Sequence, residues 1–166
     1  MVDKALFTSE SGEWETPDAL FQTLHQRYRF TVDAAASPEN AKLPRFWTND
    51  KDGLKQSWAE ESVWCNPPYG RRVGLWVKKA HDERFSARCS VLLLPARTDT
   101  AWFHDYVLPG AWELFFLRGR VHFSNTKVGA PFPSILVVFD EIARLYTKHT
   151  SSPRVGTWLH REKKAA

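Results

Sequence analysis

Four consecutive residues carry the strongest chemical signal in the sequence: Asn66-Pro67-Pro68-Tyr69, directly after the apolar run 63–65. Two adjacent prolines can neither continue a helix nor pair inside a sheet, and they hold the preceding residue in an extended conformation. We therefore expect Asn66 to end a strand and to present its amide at the carboxyl end, where open α/β sheets bind ligands. An amide, a rigid backbone carbonyl and an aromatic ring suit a flat base that carries an exocyclic amino group.

The chemistry that these residues would support is transfer to that amino group. An exocyclic amine on adenine or cytosine is a poor nucleophile because its lone pair is delocalised into the ring. The Asn66 side-chain oxygen and the Pro67 carbonyl would accept its two N–H groups and localise the lone pair, while Tyr69 stacks on the base. A base in a duplex would have to flip out to reach them. The alternative interpretation is a proline-rich turn beside a buried tyrosine.

A second candidate pocket, for the electrophile, lies around Asp33. The run 30–32 predicts a short strand that ends at Asp33, and the small residues 34–36 allow a ligand to approach the backbone. The carboxylate would pair with a ligand's amino group, or it would cap a helix. Asp52-Gly53-Leu54 is a further candidate, an acid for a ribose or an adenine amine beside an apolar wall, although Asp-Gly is also a common turn.

Strands alternate with helices along the chain, which is typical of an α/β sheet. Thr16-Pro17 predicts a helix start with Thr16 as the N-cap, and Leu20, Phe21 and Leu24 follow at helical spacing. Residues 37–52 are expected to be irregular. The other predicted elements are a strand over 61–65, a helix over 73–84 with Leu75, Trp76 and Ala80 on one face, a strand over 89–94, a helix over 98–107, a strand over 112–117 and a final hairpin of 121–123 with 134–139.

Composition limits the class of protein. The chain has 166 residues, 43% of them apolar and 25% charged, as expected for one globular domain over 1–166. No apolar run approaches the length of a membrane span, and residues 1–4 lack the pattern of a signal peptide. Cys65 and Cys89 lie in apolar runs and indicate reduced thiols of a cytoplasmic protein. No Cys/His spacing suggests a metal site.

Charge is unevenly distributed. The net charge is −4 over residues 1–18 and +3 over 140–166, and the sequence pI is about 9.2. Several further basic residues lie near the candidate sites. This balance is compatible with a polyanionic partner such as nucleic acid. Of the eight tryptophans, Trp14 has the most polar context and is the one we expect to contact a ligand.

An ordered set of motifs resembles the phage-type DNA N6-adenine methyltransferase (Dam) family. The set runs over about residues 13–140, and its order is more specific than any one motif. It consists of Trp14-Glu15-Thr16-Pro17, the run 30–41, Asp52-Gly53-Leu54 with Trp58, the run 64–70, the runs 94–100 and 102–104, Arg118-Gly119-Arg120 with Phe123, and the run 130–134.

The resemblance implies a fold, a methyl donor and a set of residues. The fold is an abbreviated Rossmann-like methyltransferase fold, with a mixed sheet, a C-terminal antiparallel hairpin, a core over about 13–140 and a basic extension over 141–166. S-adenosylmethionine is the donor and adenine N6 in double-stranded DNA is the acceptor. The catalytic motif is Asn66-Pro67-Pro68-Tyr69, and the donor-binding residues are Trp14, Thr16, Pro17, Asp33, Ala34, Asp52, Leu54 and Asn66. The donor turn 33–37 lacks the glycines usual in the wider class of amino-methyltransferases. Only 33 positions separate Asp33 from Asn66, which is short for two strand–helix units, so the sheet is expected to be abbreviated.

We expect no separate recognition domain in this sequence, and therefore expect readout of DNA from loops 70–74, 97–104 and 118–133. Phe123 or Phe132 would hold the flipped base against Tyr69, or would simply pack in the core. GATC is the first target site to test, and a monomer is expected. The alternatives are an N4-cytosine methyltransferase, a DNA-binding relative without activity, and modification of RNA or protein glutamine. The expected phosphate or guanine contacts are Arg71, Arg72, Arg97, Arg118 and Arg120.

Overall fold

A computed structural model describes residues 14–146 and 154–158. Its centre is a six-stranded mixed sheet in the order β1-β2-β3-β5-β4-β6. The strands are β1 Val32–Asp33, β2 Ser62–Cys65, β3 Cys89–Pro95, β4 Glu113–Leu117, β5 Ser134–Phe139 and β6 Arg154–Trp158. The helices are α1 Asp18–Tyr28, α2 Val73–Glu83, α3 Leu108–Gly110 and α4 Glu141–Tyr146, and a π-helical segment, Phe103–Val107, leads into α3. The mixed α/β fold predicted from the sequence is therefore confirmed.

Strands β1, β2 and β3 are parallel and form the half of the sheet that positions the candidate site. Asp33 pairs with Trp64, and Cys65 pairs with Leu92. The predictions for β2 and β3 match their observed bounds closely, because each is a continuous apolar run and each observed strand is buried at every position. The strand predicted over 30–32 is instead Val32–Asp33, so Asp33 belongs to the strand rather than following it.

The other half of the sheet is partly antiparallel. Strand β5 runs antiparallel to both of its neighbours, β3 and β4, and β6 pairs parallel with β4. The predicted hairpin was wrong in one arm, because residues 121–123 form no strand in the described chain and β4 is the partner of β5. The apolar side chains of Val121 and Phe123 pack in the core, at 9% and 1% exposure, and do not mark a strand.

Helix α1 begins at Asp18, and its N-cap is Pro17 in an extended conformation. The prediction that Thr16 caps this helix was wrong: no side chain caps it, and the Thr16 hydroxyl instead accepts a hydrogen bond from Asn66. The predicted buried face is confirmed, since Leu20, Phe21 and Leu24 are at most 1% exposed.

Helix α2 has nearly the predicted bounds, but its buried face differs from the prediction. Trp76 and Ala80 are buried, whereas Leu75 is 50% exposed. The helix predicted over 98–107 begins near residue 101 and widens into the π-helical segment, where the Leu108 N–H bonds to the Phe103 carbonyl five residues back.

Residues 34–61, all of which the structure describes, connect β1 to β2 without a helix. Backbone hydrogen bonds tie the segment to Asp33, whose N–H donates to Arg45 and whose carbonyl accepts from Trp47. Trp47 and Trp58 fill the face of the sheet that a crossover helix would otherwise cover, and Trp76 of α2 packs with them. The sheet is thus shortened on this side, as the spacing between Asp33 and Asn66 predicts. Within the described chain, every helix is too short or too polar to cross a bilayer.

Gly53 marks a close approach between segment 34–61 and the end of β1. A Cβ at this position would lie 2.1 Å from the Ala34 carbonyl oxygen, which belongs to the backbone and cannot move aside. We predict that Gly53→Ala lowers the free energy of unfolding by about 3 kcal/mol. Chemical denaturation followed by tryptophan fluorescence measures this change. Lys51→Ala, at an exposed position of the same turn, serves as the control, and a loss of the same size in both variants would contradict the steric explanation.

Candidate ligand cleft and catalytic motif

The carboxyl ends of β1 and β2 open into a cleft of about 530 Å³. Asp33, the last residue of β1, and Asn66, the residue after β2, both line it. Their proximity follows from the parallel register, which brings the two strand ends to the same edge of the sheet. The other side of the cleft is built mostly from segment 34–61.

Asn66 has one end of its amide engaged and the other free. Its Nδ2 donates hydrogen bonds to the Trp14 carbonyl and to Thr16 Oγ1, the second at 3.0 Å. Its Oδ1 is buried and has no hydrogen-bond partner among the described residues. Since buried polar atoms are nearly always paired, this acceptor is able to take a hydrogen bond from a donor outside the described chain.

Tyr69 is fixed by its hydroxyl, which donates a hydrogen bond of 3.1 Å to the Leu93 carbonyl of β3. Burial raises the pKa of this hydroxyl well above its usual value, so it stays protonated. The residue therefore offers the site a positioned ring and not an acid or a base. Pro67 is buried beside it, and Pro68 is exposed at the cleft.

Four rings form an aromatic cluster next to the catalytic motif: Trp14, Tyr69, Phe123 and Phe132. Phe132 and Phe123 meet the Tyr69 ring at centroid distances of 5.5 and 6.2 Å, but at interplanar angles of 69° and 80°. Trp14 lies 6.5 Å from Tyr69 at only 30°, so it is the ring closest to parallel. Two parallel rings that hold a base between them must stand about 7 Å apart, twice the contact distance between carbon atoms.

Asp33 is 3% exposed and lines the cleft. Burial raises the pKa of this carboxyl from 3.8 to about 6, although hydrogen bonds from the backbone N–H groups of Lys42, at 3.0 Å, and Ala35, at 3.4 Å, oppose the shift. A cationic group placed beside Asp33 would lower this pKa and favour the ionised carboxylate. This is the electrostatic behaviour expected of a receptor for an ammonium group.

Asp52 also borders the cleft, in a turn that it stabilises itself. Its φ of 48° is left-handed, and its Oδ1 accepts a hydrogen bond of 3.2 Å from the Leu54 N–H.

Three residues predicted at the donor site do not line the cleft. Pro17 is the N-cap of α1, Ala34 is fully buried in the core, and Leu54 packs against that core.

Sequence reasoning missed Lys42, which lines the cleft. Besides the backbone bond to Asp33, its ammonium group pairs with Asp18 at 2.7 Å and with Glu15 at 3.5 Å. Nothing in the irregular run 37–52 singled it out, because its partners are brought together only by the path of the chain. Other cleft residues that the sequence did not indicate are Trp47, Asn49, Asp50 and Trp76.

The loop over 118–133 joins the cleft through the segment 14–16. The Ser124 N–H donates to the Glu15 carbonyl at 2.9 Å, and the Glu15 N–H donates to Asn125 Oδ1 at 3.1 Å. The same short segment holds Asn66. The Asn66 amide, the cleft and the loop 118–133 therefore share one supporting segment.

All five arginines predicted to contact DNA are exposed, and none forms an ion pair with another residue of the described chain. Arg72 lines the cleft itself. The five are Arg71, Arg72, Arg97, Arg118 and Arg120.

In residues 14–146 and 154–158, no group of three His, Cys, Asp or Glu side chains is arranged to hold a metal ion.

The fold and the site define an α/β protein with a ligand cleft at the carboxyl edge of its parallel strands, beside an Asn-Pro-Pro-Tyr motif. Residues 4–152 match the family model of DNA N-6-adenine-methyltransferase (Dam), and the chain belongs to that family. The resemblance predicted from the ordered motifs is thereby confirmed.

One relative is the DNA N-6-adenine-methyltransferase of Escherichia phage T1, with 39% identity over 94 residues. The match spans 55% of this chain and 39% of the length of the phage protein.

The pKa of Asp33 leads to a prediction for donor binding. If Asp33 binds the ammonium group of S-adenosylmethionine, we expect the affinity to rise about tenfold between pH 5 and pH 7, since only the ionised carboxylate would pair with that group. Calorimetric titration at intermediate pH values measures this rise. Asp33→Asn should bind weakly at every pH, whereas Asp50→Asn, exposed on the same cleft wall, should keep the pH dependence. A flat profile for the unaltered protein would rule out this role for Asp33.

Proposed function

We propose that this protein transfers a methyl group from S-adenosylmethionine to the N6 amino group of adenine in double-stranded DNA. The observation that carries the proposal is the buried, unpaired Oδ1 of Asn66 at the edge of the cleft. An acceptor held there without a partner suits an amino group that enters with the substrate. Membership of the Dam family supports adenine N6 as the target.

The cleft fits the proposed donor. Its volume of about 530 Å³ lies within the usual range for small-molecule sites. Asp33 would hold the amino group of the donor's methionine part, and Asp52 would hold the ribose or the adenine amine. When bound, S-adenosylmethionine supplies a methyl group on a positively charged sulfur.

The sheet is, in this proposal, an abbreviated Rossmann-like methyltransferase fold, and residues 1–166 form one domain.

The catalytic motif acts on the other reactant. Asn66 Oδ1 and the Pro67 carbonyl accept the two N–H groups of the adenine amine, and this localises the nitrogen lone pair and directs it toward the cleft. An amide suits the role because it accepts a hydrogen bond without placing a full negative charge beside the reacting nitrogen. Pro67 and Pro68 keep the carbonyl and the ring in a fixed relation because their φ angles are locked.

The adenine reaches the motif by flipping out of the duplex. Tyr69 stacks on the flipped base, and the geometry favours Trp14 for the opposite face because its ring is nearest to parallel. Phe132, which is partly exposed, then lines an edge of the base, whereas Phe123 stays buried in the core. This differs from the arrangement expected from the sequence, in which a phenylalanine faces Tyr69.

A methylation assay with labelled donor tests this function. We expect N6-methyladenine as the product when the protein acts on duplexes that contain GATC and the products are digested to nucleosides. Methylation of a plasmid, followed by modification-sensitive digestion, then tests other target sites. N4-methylcytosine as the only product would show that the target base is cytosine and not adenine. Binding of the donor and of DNA without methyl transfer would favour a non-catalytic relative.

Asn66→Ala provides the decisive variant in the same assay. We expect transfer to fall at least about 100-fold, because the amine loses the acceptor that polarises it, while donor affinity changes by less than about threefold. Gln22→Ala, at an exposed position of α1, controls for substitution elsewhere. Transfer by Asn66→Ala at near the unaltered rate would refute the proposed chemistry.

DNA binding by the loop arginines predicts a change in salt dependence. Arg118→Ala should weaken binding and reduce the slope of log affinity against log salt by about 1, as expected for one lost phosphate contact. Arg88→Ala is a matched control, since Arg88 is exposed but precedes β3 at the opposite edge of the sheet. Fluorescence anisotropy with a labelled duplex at several salt concentrations measures both slopes. Equal slopes for the two variants would contradict a specific contact at Arg118.

A further inference from the structure

We infer that Thr16 is a positioning residue that, together with the Trp14 carbonyl, sets the orientation of the Asn66 amide. This inference rests on the proposed function, in which Asn66 Oδ1 accepts a hydrogen bond from the target amine. Thr16 itself does not touch the reacting atoms in this scheme. It acts through Asn66.

The orientation matters because the two ends of an amide are similar in size and opposite in hydrogen bonding. With Oδ1 toward the substrate, the side chain accepts an N–H from the amine. With Nδ2 toward the substrate, two donors face each other and the amine is repelled. A freely rotating Asn66 would therefore spend part of its time in an orientation that cannot support transfer.

The contacts of Asn66 select the productive orientation. The Trp14 carbonyl can only accept, so the amide nitrogen must face it. Thr16 Oγ1, 3.0 Å from the same nitrogen, accepts its second N–H and thereby fixes the plane of the amide. Both partners lie on the side of the nitrogen, which leaves the buried Oδ1 without a partner in the described chain. In the proposed function, this is the atom that accepts the amine.

Thr16 is itself firmly placed. It is 3% exposed, and the following Pro17 holds it in an extended conformation. Its hydroxyl is available for Asn66 because no side chain caps α1, the task that a threonine in this sequence context usually performs. The hydrogen bond from the Ser124 N–H to the Glu15 carbonyl anchors the segment on its other side.

A pair of substitutions at Thr16 tests the inference. Thr16→Val keeps the shape but removes the hydroxyl, and Thr16→Ser keeps the hydroxyl. We expect Thr16→Val to lower kcat about tenfold or more, with KM for S-adenosylmethionine and for DNA changed less than about threefold, and Thr16→Ser to retain at least about half of the activity. Thr23→Val makes the same chemical change at an exposed position of α1 and should leave kcat and both KM values unchanged.

Nuclear magnetic resonance supplies a readout that does not depend on activity. The chain has four asparagines, so labelling with ¹⁵N-asparagine gives four side-chain NH₂ signals. The signal of Asn66 is assigned by its loss in Asn66→Ala. We expect Thr16→Val to shift this signal and to speed its exchange with solvent, Thr16→Ser to restore it, and Thr23→Val to leave it in place.

Three results would overturn the inference: an unaltered transfer rate in Thr16→Val, equal losses in Thr16→Val and Thr16→Ser, or an unchanged Asn66 signal in Thr16→Val. Failure of the unaltered protein to methylate adenine would instead refute the proposed function. In that case the resonance comparison still decides whether Thr16 holds the amide. Thermal unfolding of each variant shows whether a loss of activity follows from a loss of folding.

Discussion

The parallel pairing of β1 with β2 is the constraint on which the site depends. The hydrogen bond of 2.8 Å from the Ala34 N–H to the Trp64 carbonyl fixes how far the two strands advance together. Asp33 and Asn66 consequently reach the same edge of the sheet, where both line the cleft. A shift of one residue in this register would turn Asp33 to the other face and separate the two groups. The prolines after Asn66 then end β2 at the required point.

A second level of organisation comes from the segment 14–16, which crosses from α1 to the catalytic motif. It contacts Asn66 by side chain and backbone, borders the cleft, and bonds to the loop 118–133. Three parts of the site that lie far apart in the sequence therefore share one support. The Trp14 ring adds to this support by packing against Phe123 and Phe132 at 5.1 and 5.2 Å.

The sequence was sufficient to predict the parts of the fold that follow from local rules. Continuous apolar runs predicted β2 and β3, and the prolines after Asn66 predicted where β2 ends. Local rules failed where a distant partner decides the outcome. Thr16 resembles a helix cap, but Asn66, fifty positions away, takes its hydroxyl. Residues 121–123 resemble a strand because they are buried, and Lys42 gains its role only from the path of an irregular segment.

The absence of a helix from residues 34–61 has a consequence for the cleft. A wall made from this segment is held by the same contacts that fill the core: Trp47 belongs to both, and Gly53 lines the cleft while lying against the Ala34 backbone. The hydrophobic free energy that folds this side of the protein therefore also preorganises the wall. Little ordering entropy remains to be lost there when a ligand enters, so more of the binding free energy is retained as affinity.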